Sequence, residues 1–157
     1  MSAKLQDMSP SHQQKMAKHN KNLVYRYYRE VWNHGNMSVI NEIFAANHIT
    51  HQASNLPNIP SSGRQGIRQL VTAFRAALPD LNLTIEDMVG QWNKVAIRFT
   101  IQGTHKGELL GSAPTRQRVI LSGMMIHAIT DEKITDTWFS HDLVSAIQQS
   151  EPVPTAV

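Results

Sequence analysis

The chain has 157 residues, 41% of them apolar, a net charge of +3 and no cysteine. That length suits one domain burying roughly 70% of its unfolded surface. The lack of cysteine excludes disulfides, a thiol nucleophile and thiolate metal sites. No apolar run approaches the roughly 18–20 residues of a membrane span, and the opening MSAKLQDMSPSHQQK has no apolar signal-peptide core, so a cytoplasmic protein is expected.

Residues 1–9 read as a flexible tail. Ser9 and Pro10 offer an N-cap followed by proline at the first helical position. Met16, Leu23, Val24, Tyr27, Val31 and Trp32 then recur at helical spacing, which predicts a helix over 10–34. Its basic residues, Lys15, Lys18, Lys21, Arg26 and Arg29, form a solvated face; without a basic run interleaved with aromatics, no nucleic-acid partner is expected. Gly35 permits a left-handed end, and Asn36 can cap a second helix over 36–45 that carries Val39, Ile40, Ile43 and Phe44 inward. Residues 48–51 read as a short extended piece and 56–62 as loop.

Ser62-Gly63-Arg64-Gln65 has the pattern of a capping box opening a third helix over 63–78, with the stripe Ile67, Leu70, Val71, Phe74 and Leu78, stopped by Pro79. The period then changes to two. Leu81, Leu83 and Ile85 form one strand and Val95, Ile97, Phe99 and Ile101 another, with a turn near Trp92 and Asn93. A connection over 103–115 leads to a strand at 119–129 and a hairpin turn at Asp131 and Glu132. Residues 143–149 can form a short last helix capped by Asp142. Helices first and strands afterwards predict an α+β domain over 10–150, with helices on one face of an antiparallel sheet and a second flexible tail at 151–157.

The hairpin admits two registers. A two-residue loop pairs Thr130 with Lys133 and puts His127 on a face with Asp136, Trp138 and Asp142. A three-residue loop pairs Ile129 with Lys133 and puts His127 with Met125, Thr137, Phe139 and His141. The three-residue loop is expected, because the two-residue alternative needs both Asp131 and Glu132 left-handed.

Four segments in order, NLVYRYYREVWNHGNMSVINEIF, FRAALPDLNLTIEDMV, GTHKGELLGSAPTRQRV and EKITDTWFSHDLVSAIQQ, resemble the SnoaL-like polyketide (ester) cyclase family over residues 20–149. The resemblance implies the nuclear transport factor 2-like fold, a cone-shaped curved sheet wrapped by three N-terminal helices around a pocket. It also implies a homodimer or higher homo-oligomer, no metal and no organic cofactor. Family cyclases close a ring by intramolecular aldol condensation, with an aspartate as general acid/base. Here Phe139 stands at that position and Met125 near that of an assisting histidine, while a second family aspartate corresponds to Asp142.

Histidine exchanges protons near neutral pH; the face shared with the family's pocket position at Phe139 makes His127 and His141 candidate catalytic groups, and the resemblance adds His51. Trp32, Thr50, Met125, Thr137 and Phe139 are the candidate substrate contacts; Asp142 is a structural cap or an alternative acid/base. His48 and His51 form H-x-x-H, but strand spacing sends the two rings to opposite faces, so no metal is expected. Together these readings predict a cofactor-free cyclase or isomerase acting on a small hydrophobic, polyketide-like or terpenoid-like metabolite. The alternative is a non-catalytic carrier of the same fold.

Overall fold

A computed structural model describes residues 7–51, 62–109 and 111–142. Helix α1, Pro10–Arg26, starts where Ser9 Oγ accepts from the His12 N–H, and it runs without a break into a π-helical segment, Tyr27–Asn33. Arg75 closes that segment by donating to the carbonyls of Trp32 and Asn33 at 2.7 and 3.0 Å. Gly35 then turns the chain at φ +70°, and a β-carbon there would meet the Arg75 guanidinium at 2.8 Å, so glycine is needed twice over. Helix α2, Val39–Ile43, is shorter than expected: Asn36 does not cap it, and Phe44 already belongs to strand β1, Phe44–His51. Helix α3 spans Gly63–Ala77, and Ser62 makes no side-chain cap, so the capping-box pattern does not form.

Four further strands follow: β2, Asn82–Gln91; β3, Lys94–Thr104; β4, Arg118–Thr130; and β5, Lys133–His141. They make one sheet in the order β1-β5-β4-β3-β2. The β2–β5 run is antiparallel as expected, but edge strand β1 pairs with β5 in parallel, Thr50 opposite Thr137 and His51 opposite Trp138. A parallel pair needs a long crossover, and everything from α3 to β4 lies between these two strands.

The two faces of the sheet differ. Val95, Ile97, Phe99, Ile101, Val119, Leu121, Met125 and Ile129 are buried against Tyr27, Tyr28, Val31, Trp32, Ile67, Val71 and Phe74 of the helices. Ile120, Met124, Ile126 and Val89 are exposed by 55, 58, 43 and 67% on the other face. The edge strand β2 is covered where Asn33 mimics a neighbouring strand: its amide donates to the Leu83 carbonyl at 2.9 Å and its Oδ1 accepts from the Leu83 N–H at 2.7 Å.

The hairpin between β4 and β5 combines the two registers. Thr130 pairs with Lys133, so the loop has two residues, and Asp131 and Glu132 both take positive φ, 50° and 60°. The three-residue loop is therefore not what forms. A bulge between Ala128 and Ile129 on the ladder then adds one residue on the β5 side, after which His127 faces Thr137, Met125 faces Phe139 and Gly123 faces His141. This bulge restores the face that the three-residue loop would have made. Without it Asp136 would point into the core and Phe139 out of it. An inward carboxylate costs several kcal/mol and an exposed Phe forgoes about 2 kcal/mol. That outweighs the local break in the ladder that the bulge costs.

Candidate functional site

Inner-face positions of β1, β4 and β5, with the π-helical segment above them, bring four polar side chains together among apolar ones. Tyr28 Oη and His127 Nε2 lie 2.6 Å apart. His127 Nδ1 is 2.9 Å from Thr137 Oγ1, and Thr137 Oγ1 is 2.9 Å from His48 Nε2. Tyr28 Oη also reaches the Met125 sulfur at 3.0 Å. Strand alternation supplies His48, His127 and Thr137, and the π-helical segment supplies Tyr28. All four are buried, with Tyr27 edge-on to His127 and Phe44 edge-on to His48.

Burial decides the charge of this chain of groups. It pulls the His127 pKa down to about 3, with His48 adding to the effect. It pulls His48 down to about 4, the nearby Asp136 opposing and His51 assisting. Both imidazoles are neutral at physiological pH. Burial also holds the Tyr28 hydroxyl well above its usual range, so it keeps its proton. The arrangement can donate and relay hydrogen bonds but holds no free charge.

The expected site residues divide. Met125, His127, Thr137 and Phe139 share the inner face, and His141 continues it at the end of β5, its ring 4.6 Å from that of Phe139. Burial lowers the His141 pKa, with Asp142 opposing. Thr50 is buried beside Thr137. Trp32 is buried against Phe74, its indole N–H beside the Tyr27 hydroxyl without closing a normal hydrogen bond.

His51 is not with them. It lies on the outer face, bonded to Asp136 at 2.9 Å and stacked on Trp138, because a strand residue next to inward Thr50 must point outward. Asp142 clips β5 to β4 through both backbone groups of Ser122; the helix it was expected to cap falls outside the described residues. Of the polar chain, Tyr28 is absent from the sequence reading, and His48 enters it only as half of the H-x-x-H pair. Tyr28 sits four residues from both Val24 and Trp32 on the apolar stripe, and His48 has the parity of Thr50; both signals were present.

No group of three or more metal-ligating side chains occurs among the described residues, and none of their helices is long and apolar enough to cross a membrane. The described surface also has grooves: one of about 290 Å³ bordered by Tyr25, Tyr28, Arg29 and Asn33, and one of about 350 Å³ on the outer face around Val89, Ala96 and Met124.

A family model described as SnoaL-like polyketide cyclase matches residues 22–150. Among solved structures, one described as a SnoaL-like polyketide cyclase from Jannaschia sp. is 20% identical, with a TM-score of 0.76 over 94% of this chain and 99% of that one. A protein from Bacillus cereus described as a polyketide cyclase is 26% identical, with a TM-score of 0.74 over 90% of this chain and 86% of that one. A protein from Streptomyces galilaeus described as a hydroxylase, AclR, is 23% identical, with a TM-score of 0.70 over 84% and 98%. No curated protein matches significantly.

Proposed function

Since this chain belongs to the SnoaL-like polyketide cyclase family, we propose that it is a cofactor-free cyclase or isomerase acting on a small hydrophobic, polyketide-like or terpenoid-like metabolite held at the inner face of the sheet. The observation that carries the reading is the hydrogen-bonded series Tyr28–His127–Thr137–His48, set into an otherwise apolar interior next to Met125 and Phe139. Proton-bearing groups that cost desolvation energy to bury mark a candidate site of chemistry.

Phe139 cannot transfer a proton, so the aspartate-dependent route is closed to this chain. Turnover then relies on His127 and His141 with their neighbours, and on the shape of the site. Holding a flexible chain folded for ring closure can supply about 7–11 kcal/mol of the barrier in the best cases. The protein works as a homodimer joined through the outer face, where Val89, Ile120, Met124 and Ile126 would otherwise stay in water.

Phe139 and the neutral histidines also favour a second reading, a carrier that binds such a metabolite without converting it. Incubation with an aromatic polyketide ester, followed by product analysis, separates the two. Conversion that falls in His127→Ala supports the enzyme; saturable quenching of tryptophan fluorescence without product supports the carrier.

A further inference from the structure

One atom of the polar series has no partner: Nδ1 of His48, which is buried. A buried N–H without an acceptor loses its full hydration, and such orphans are rarer in proteins than unmet lone pairs. His48 therefore carries its proton on Nε2 and donates it to Thr137 Oγ1. Threonine has a single hydroxyl proton, which passes to Nδ1 of His127. Neutral His127 then holds its own proton on Nε2 and donates to Tyr28 Oη at 2.6 Å. The phenol's proton is left for the Met125 sulfur at 3.0 Å. A single unpartnered nitrogen thus fixes the direction of every bond in the series.

The series ends badly for a buried phenol. A thioether is a weak acceptor, and methionine is the most adaptable side chain of an apolar wall. Met125 stands on the inner face opposite Phe139. We propose that Tyr28 is a catalytic residue whose hydroxyl, oriented by His127, Thr137 and His48, donates its hydrogen bond to a carbonyl or enolate oxygen of the bound molecule in place of the Met125 sulfur. The substrate class this names is an enolisable ketone or ester. No covalent bond to the protein forms and the proton stays on the phenol, consistent with burial holding it there. Negative charge developing on the substrate oxygen is met by a donor already aimed, so little reorganisation is needed. His127 has both nitrogens engaged and acts as a positioning residue.

This inference rests on the reading that a small molecule occupies the inner face, and its tests separate the two. Nitrogen NMR of histidine-labelled protein is expected to show His48 and His127 both protonated on Nε2; a His127 proton on Nδ1 overturns the assignment. Acetylnaphthalene and ethylnaphthalene serve as probes of one shape with and without a carbonyl. The ketone is expected to bind about tenfold more tightly, as one added hydrogen bond allows. Its carbonyl stretch should fall on binding and be restored in Tyr28→Phe. Met125→Leu, which removes the competing acceptor but keeps the phenol, should retain the lowered stretch and tighten ketone binding further. An unchanged stretch in the wild type, or a lowered one persisting in folded Tyr28→Phe, overturns this proposal alone. Failure of both probes to bind overturns the inner-face site and this proposal with it.

Discussion

At the scale of single residues, the proposed function makes position 139 a test, since Phe139 stands where the family resemblance places an aspartate. The unmodified protein should convert a family-type substrate poorly, since general acid–base catalysis contributes roughly 10²–10⁴ in rate. Phe139→Asp should raise that conversion, measured as product per unit time, because burial would lift the new carboxyl's pKa toward neutrality. The same change should lower stability by about 3–5 kcal/mol in denaturant titration, the range for losing a buried Phe. His127 and His48 make a second prediction. Unfolded histidine takes up its proton near 6.5, whereas these do so only near 3 and 4 when folded. Between those values the unfolded chain binds more protons, so stability falls as pH falls from about 6.5. Each histidine contributes about 1.4 kcal/mol per pH unit over its own window. Thermal unfolding between pH 7 and pH 4 should show this slope, and His127→Gln should flatten it; an unchanged slope would mean that the ring reaches water.

At the scale of elements, the hairpin turn stores strain that a designer could remove. Asp131 and Glu132 both occupy left-handed backbone, where asparagine and glycine are preferred. Glu132→Gly should raise stability by roughly 1 kcal/mol. It loses only the exposed contact of Glu132 with His19, and exposed pairs are worth little. A rise in melting temperature checks it; a fall would mean that the His19 contact matters more than exposure suggests. This turn also marks how far the sequence could be read. The helical stripes and the alternating strands were legible because burial leaves a period. The bulge was not, since it depends on energies of residues on both strands that no local pattern records. Strand alternation puts Thr50 and His51 on opposite faces, and it is His48 that shares the parity of Thr50. Tyr28 was hidden differently: the stripe read from the sequence runs through its neighbour Tyr27, and only the fold brings Tyr28 to His127.

At the scale of the whole molecule, the outer face predicts assembly. Replacing Met124 and Ile126 together by lysine should convert a dimer into a monomer in light scattering while leaving circular dichroism unchanged, since both side chains are exposed in the single chain. A wild-type monomer at micromolar concentration would remove the basis for this. The parallel edge of the sheet has a consequence of another kind. Strand β1 ends at His51, but β5, its neighbouring strand in the sheet among the described residues, begins at Lys133. During synthesis at roughly 5–20 residues per second, β1 must wait at least several seconds with its hydrogen-bonding edge open before β5 leaves the ribosome. Contacts so far apart in sequence also slow refolding from denaturant. The newborn chain is most exposed to mispairing in that interval, so its yield in a cell should depend on chaperones that shield β1 until translation is nearly done.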